Sequence, residues 1–189
     1  MRKLLFSGKE LYRLLNLRSK IKKLEARLKV RVDIDKKEVI LTSMKKDSFS
    51  EYVASKVLEA IALGFDTESA MQLCNTDFTL TKINAKDFVR SSRVNLALGR
   101  IIGKEGRTKR IIEELSNCNL VVSNHTVAVI GRADNVDTAR QAIISLLHGS
   151  KQANVYKFLE RSRARLRKLE EEDVEKFIEK EKPKTSSEK

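Results

Sequence analysis

The tightest constraint in this chain is a pair of glycines three residues apart, set between two amphipathic stretches: Gly99-Arg100-Ile101-Ile102-Gly103-Lys104-Glu105-Gly106-Arg107-Thr108-Lys109-Arg110-Ile111-Ile112-Glu113-Glu114-Leu115. Leu98, Ile101 and Ile102 before the turn, and Ile111, Ile112 and Leu115 after it, recur at helical spacing. The segment therefore predicts a helix, a G-K-E-G turn and a second helix. Glycine at both ends lets the main chain reverse sharply and lets another chain approach without meeting a Cβ. The second helix brings its unpaired first-turn N–H groups and the positive end of its dipole to the same point. Lys104, Arg107, Lys109 and Arg110 add charge around it. A phosphate is the natural ligand of such a construction.

The residues after the turn narrow the fold. Residues 119–123 and 126–131 read as two short strands, and a capped helix runs from Asp134 to His148. Helix, GXXG, helix, strand, strand, helix is the order of a KH domain, whose loop clamps about four backbone nucleotides. The bland alternative, a structural turn in an unrelated α+β domain, has to account for that whole order. The candidate RNA-binding residues are Arg100, Ile102, Gly103, Lys104, Glu105, Gly106, Arg107, Lys109 and Arg110. An apolar groove floored by Ile101, Ile102, Ile112 and Val121 would receive bases, which suits a chain with only 5% aromatic residues. Glu105 is the awkward member, a negative charge beside the phosphate path. Gly103→Asp and Gly106→Asp are both expected to remove binding with little loss of stability.

The first ninety residues read as a worn copy of the second half. Shifted by 87 positions, Leu11, Leu14 and Leu15 fall on Leu98, Ile101 and Ile102, and Leu24 and Leu28 on Ile111 and Leu115. One position further, Glu38-Val39-Ile40-Leu41 falls on Thr126-Val127-Ala128-Val129. A helix with a capping box at Ser48 and Glu51 and a stop at Gly64 matches the last helix of the second copy. Where the second copy has its glycine turn, the first has Asn16-Leu17-Arg18-Ser19, so the turn is expected to keep its shape but lose the clamp. The expected fold is α+β: two tandem KH domains, type I-like with a three-stranded sheet and three helices each, then a C-terminal helix. The boundaries are 1–75 for the degenerate domain, 76–150 for the GKEG domain, 151–182 for the helix and 183–189 for a disordered tail. A strand across 82–89 is expected to open the second domain.

The formal net charge of +13 calls for a polyanionic partner. It is unevenly spread: residues 1–46 hold 15 Lys+Arg against 5 Asp+Glu, whereas 47–89 hold 3 against 7. Arg18, Lys20, Lys22 and Lys23 crowd the first copy's second helix, and Arg161 and Arg165 lie on the C-terminal helix. All six are secondary RNA-contact candidates, through sequence-independent backbone contact, although a charge run is also what a solvated face looks like. The C-terminal helix is expected to buttress the two domains, or else to serve as an arm. Cys74 and Cys118 have no metal-ligand spacing and read as small core residues in a reducing compartment. No metal site, cofactor or membrane span is expected, and the location is expected to be cytoplasmic. His125 and His148 have no nucleophile or carboxylate at motif spacing, Glu113 and Glu114 are expected to face solvent, and no P-loop or dinucleotide fingerprint occurs. Catalysis is not expected.

The block Leu98 to Lys109, with Ile112-Glu113, resembles the second KH domain of the partner-of-Nob-one family of small-subunit ribosome assembly factors. Ordinary KH domains carry an aliphatic residue three positions after the second glycine; this chain has Lys109 there, preceded by Thr108, as that family does. Gly64-Phe65-Asp66 with Ala70, and Tyr156 with Leu159-Glu160-Arg161, extend the resemblance over residues 3 to 165. It implies a ribosome assembly factor that binds single-stranded RNA, the 3′ region of precursor small-subunit rRNA, and positions it for endonucleolytic maturation. It implies a Nob-type endonuclease and the alpha subunit of initiation factor two as partners, and an archaeal-type organisation, since eukaryotic members carry a longer N-terminal extension. Two other readings stay open: a KH protein-interaction scaffold, and a general or exosome-associated RNA-binding KH protein.

Overall fold

The computed structural model describes residues 2–35, 38–44 and 47–181, and for 18–20, 23, 35, 170 and 173–181 the backbone alone. The expected tail at 183–189 lies outside the described residues. The architecture is α+β, with two three-stranded antiparallel sheets built in the same element order. The first half runs β1 (Arg2–Leu5), α1 (Gly8–Asn16), α2 (Arg18–Leu28), β2 (Val30–Asp35), β3 (Glu38–Ser43) and α3 (Ser48–Leu63), with strand order β1-β3-β2. After a short α4 (Thr67–Met71), the second half runs β4 (Phe78–Asn84), α5 (Val94–Ile102), α6 (Arg107–Ser116), β5 (Asn119–Ser123), β6 (Thr126–Arg132) and α7 (Ala133–Leu147), with order β4-β6-β5. α8 (Gln152–Glu181) closes the described chain.

The repeat is real, but its register slips at the loop. In α1 and α5 the 87-residue shift holds: Leu14 and Ile101 are fully buried, while their neighbours Leu15 and Ile102 are exposed by 43% and 38%. From the next helix onward the shift is 88. Leu24 therefore matches Ile112, not Ile111, and both are buried. The helices end on the left-handed residues Lys29 (φ 53°) and Asn117 (φ 51°), again 88 apart. Glu25 Oε1 accepts the Val32 N–H at 2.7 Å, and Glu113 Oε1 accepts the Leu120 N–H at 2.8 Å. In both copies a carboxylate ties a helix to the strand that comes after it. Glu113 is accordingly half-buried and structural rather than a solvent-facing partner of Glu114. The slip has a simple cause: the first copy is one residue shorter where the second has its glycine turn.

Other boundaries move for local reasons. The N-cap of α3 is Asp47 rather than Ser48, its carboxylate accepting from Phe49 N (2.9 Å) and Ser50 N (3.3 Å). Glu51 accepts from Ser43 N at 3.0 Å instead of closing a capping box. β4 starts at Phe78 and stops at Asn84. There the buried Ala85 donates its N–H to His125 O (2.8 Å), and Asn84 caps a 3₁₀ turn, Ala85–Asp87, where strand was expected to continue.

The two halves pack on each other. β6 is buried on both faces: Val127 and Val129 join the second core, under α5, α6 and α7, whereas Ala128 and Ile130 join the first. Phe78, Leu80 and Val121 pack against that first core from the same sheet. A near-continuous apolar strand is what burial on two faces requires. α3 is likewise apolar on nearly every side, as befits a helix covered all round. Polar ties cross the same seam. Arg13, anchored within the first half on Ala62 O (3.0 Å) and Leu63 O (2.7 Å), donates across the seam to Ser123 Oγ (3.3 Å), and Lys82 pairs with Glu59. Burial alone would raise the Glu59 pKa, but Lys82 and Lys56 hold it below its ordinary value. α8 is a buttress: among the described residues it lies on α6 and α7, and Val155 and Leu159 enter the second core.

Candidate nucleic-acid interface

The turn between α5 and α6 is built around two glycines in different roles. Gly103 sits at φ 73°, ψ 176°, a region open essentially to glycine alone. A Cβ there would lie 2.8 Å from Thr108 N and collide with the Thr108 side chain. Gly106, at φ 74° and ψ 13°, is left-handed with nothing within 4 Å of a Cβ placed on it. The expectation that substitution at either glycine leaves stability intact is thus corrected for Gly103, whose missing side chain makes room for Thr108. Glu105 is also left-handed (φ 52°), so three residues of the four take a positive φ.

That bend leaves donors free. Gly103 N–H donates to Gly99 O (2.8 Å), Gly106 N–H to Gly103 O (3.2 Å) and Arg107 N–H to Lys104 O. The amides of Lys104 and Glu105 have no backbone acceptor among the described residues. α6 starts immediately afterwards, with no side-chain cap on its first turn. Consecutive unpaired amides at a helix start form a concavity suited to an anion.

The charged candidates divide by occupation. Lys104, Glu105, Arg107 and Arg110 are exposed at the turn. Arg110 Nη2 donates to Glu105 O at 2.9 Å, bracing the turn, and Lys109 Nζ lies 3.4 Å from Glu113 Oε1. Arg100 serves elsewhere, its Nη2 donating to Gly149 O (3.1 Å) and Ser150 O (2.6 Å) and tying α5 to the junction of α7 and α8. Ile102 is exposed beside the turn, but Ile101 and Ile112 are sealed in the core. Val121 faces the other side of the sheet, against the first half, so it is not part of any groove floor.

Behind the turn lies a contact that sequence reasoning missed. Thr108, buried to 3% exposure, accepts from Gln152 Nε2 at 2.9 Å and from Tyr156 Oη at 3.2 Å, both on α8. Gln152 Nε2 also donates to Arg100 O at 3.2 Å. Partners 44 and 48 residues away leave no local signal; only the polar side chain at 108, where a buried position comes after a glycine turn, hints at one.

The first half has no such turn. α1 ends at Asn16 and α2 starts at Arg18, with Leu17 as the joint and packed on the core. The expected surviving turn shape is therefore absent. Among the secondary candidates, Lys22, Arg161 and Arg165 are exposed, whereas the side chains of Arg18, Lys20 and Lys23 lie outside the described residues. No group of three His, Cys, Asp or Glu among the described residues could hold a metal ion. None of the described helices is long and apolar enough to cross a membrane.

Residues 79–164 match the family model for the second KH domain of PNO1, described as a eukaryotic type KH-domain (KH-domain type I). A KH domain-containing protein of Methanocaldococcus jannaschii is 34% identical over 172 residues, 86% of this chain and 76% of that one. The crystal structure of Dim2p from Pyrococcus horikoshii superposes with a TM-score of 0.76 at 35% identity, over 85% of this chain and 98% of that one. The chain belongs to the PNO1/Dim2 family. A second Pyrococcus horikoshii structure, a complex of a/eIF2alpha, aDim2p and rRNA, gives a TM-score of 0.80 at 33% identity over 86% of this chain and 93% of that one. The pre-rRNA-processing protein PNO1 of Chaetomium thermophilum is 32% identical over 136 residues, 69% of this chain and 52% of that one. The chain thus spans about half the length of that eukaryotic PNO1/Dim2 relative. The match takes in β4, β5 and β6 and runs on into α8, past Tyr156.

Proposed function

We propose that this chain is an RNA-binding factor of small-subunit ribosome assembly. It holds single-stranded RNA on the GKEG turn of a second KH domain and presents the 3′ region of precursor small-subunit rRNA for endonucleolytic maturation. The observation that carries the reading is the open turn at Gly106, with the Lys104 and Glu105 amides unpaired beside the start of α6. Lys104, Arg107 and Arg110 supply charge, Lys109 shares its charge with Glu113, and Ile102 offers an apolar edge for a base. Arg100, Gly103 and Glu105 shape the turn. Lys22, Arg161 and Arg165, with Arg18, Lys20 and Lys23, lengthen the phosphate path without reading sequence. The division is two tandem KH domains, 1–75 and 76–150, the first without a clamp, then a C-terminal helix. A Nob-type endonuclease and the alpha subunit of initiation factor two are the protein partners in this reading, in the cytoplasm. Chemistry on the RNA belongs to the endonuclease.

The experiment is crosslinking of the intact protein to RNA in its own cells, with sequencing of the attached fragments. Reads piled on the 3′ region of small-subunit precursor rRNA, with crosslinked residues within 100–110, are expected. Reads scattered over messenger RNA would favour the general KH-protein reading and refute this one. One observation favours a scaffold role for the first half: the α1–α2 pair lacks the turn and exposes Tyr12 (66%) and Leu15 (43%). Crosslinks to protein rather than RNA at those positions would assign that half to partner docking.

A further inference from the structure

We infer that the first two turns of α8 are a working part of the RNA clamp, with Gln152 and Tyr156 as positioning residues that hold Thr108 beneath Gly103. The inference rests on the reading of the GKEG turn as the RNA site and adds what sets the shape of that turn.

Four hydrogen bonds join three separate segments here. Gln152 Nε2 reaches both shoulders of the turn, donating to Arg100 O in the last turn of α5 (3.2 Å) and to Thr108 Oγ1 in the first turn of α6 (2.9 Å). Tyr156, one helical turn further along α8, adds its hydroxyl to Thr108 Oγ1 at 3.2 Å. Arg100 answers in the opposite direction through Ser150 O at 2.6 Å. Val155 and Leu159, both buried, fix α8 on the second core, so these polar side chains are held by a rigid support.

Thr108 is the piece the turn closes upon. It occupies the space that a Cβ on Gly103 would need, and its own backbone belongs to the first turn of α6. Shifting Thr108 therefore moves Gly103 and the free amides of Lys104 and Glu105 together. Binding geometries tolerate displacements of only about 0.5 Å, so a buried side chain two residues after Gly106 can govern affinity without touching RNA. The hydroxyl matters because it is buried and its two donors, on half-buried side chains, converge on it. Removing the acceptor leaves Gln152 and Tyr156 to find new partners, and the turn relaxes with them.

The test uses the full chain and a labelled single-stranded oligoribonucleotide of about twelve nucleotides copied from the 3′ end of small-subunit rRNA. Thr108→Val, Tyr156→Phe and the double change Gln152→Leu with Tyr156→Phe are compared with Gly106→Asp as a loop control. Loss of one or two such bonds is expected to weaken RNA binding about five- to tenfold. The slope of log affinity against log salt should flatten by about 0.7 for each phosphate released from the protein. Melting temperatures should stay within about 4 °C, and Thr108→Ser, which keeps the hydroxyl, should bind like the unaltered protein. If Thr108→Val and the double variant bind within twofold of the unaltered protein while Gly106→Asp has lost RNA, the positioning role is wrong and the site reading stands. If Gly106→Asp also keeps full affinity, both fall. A loss of affinity that merely tracks loss of thermal stability, with the salt slope unchanged, also overturns the positioning role. Tyr156→Phe alone removes a single hydroxyl and serves where Thr108→Val fails to fold.

Discussion

Gly106→Asp is the substitution from which most can be learned, because the structure separates its effect on folding from its effect on binding. A Cβ at 106 meets nothing within 4 Å, so the first atom of a new side chain displaces no neighbour. The left-handed backbone (φ 74°) costs a non-glycine residue about 1 kcal/mol, less for Asp than for most. For a chain of this size that shifts the melting temperature by roughly 2–4 °C. Binding responds differently. A carboxylate about 4 Å from a phosphate is opposed by about 1 kcal/mol if fully hydrated and about 4 kcal/mol at an effective dielectric near 20. Affinity should therefore fall by at least about fivefold and by as much as about a thousandfold. Gly106→Asn, with the same backbone demand and no charge, should fall between the two. Gly103→Ala is the structural counterpart: its methyl group would strike Thr108 in a conformation reserved for glycine, so stability should drop by about 2–3 kcal/mol along with binding. Fluorescence anisotropy with labelled single-stranded RNA and calorimetric melting read both effects. Gly106→Asp binding within twofold of the unaltered protein would refute the reasoning, as would Gly103→Ala melting at the unaltered temperature.

Three further outcomes are expected. If about four phosphates are engaged, a fourfold rise in salt should weaken single-strand binding roughly fiftyfold, and a flat salt response would contradict backbone contact. Glu113→Ala should destabilise the protein by about 1–3 kcal/mol, by orphaning the Leu120 N–H, and Glu25→Ala should do the same through Val32, both measured by urea unfolding. Asp47 and Asp66 are held below their ordinary pKa of 3.8 by hydrogen bonds from Ser50 and Phe49, and from Ser69, respectively. Being depressed in the folded state, they stabilise above the unfolded value, and that support should vanish as pH falls through the folded ones. Unfolding midpoints of Asp47→Asn with Asp66→Asn should then lose part of this acid dependence.

Much of this architecture can be read from residues that act locally. The glycine turn, the two strands at 119–123 and 126 onward and the stop at Gly64 each depend on a few adjacent side chains. The exposed pair Leu15 and Ile102, predicted as equivalent, even share their degree of exposure. The features that escape are long-range or off by one. The repeat register fails after the turn because one residue fewer at the α1–α2 joint leaves the apolar spacing nearly unchanged. Val121 alternates correctly along β5, yet which face meets the bases depends on where the first half docks. Arg100 and Glu113 look like free surface charges, and only the folded chain brings Ser150 O and Leu120 N within reach. Cys118 matches expectation as a core thiol, with burial pushing its pKa up to about 11.

Amide chemical-shift mapping across a titration with single-stranded rRNA tests the central claim at its own atoms. The largest changes should fall on Lys104, Glu105 and Gly106 and on the first turn of α6, with the Leu17 joint of the first half unmoved. Changes concentrated in residues 16–31, with the GKEG amides still, would contradict it.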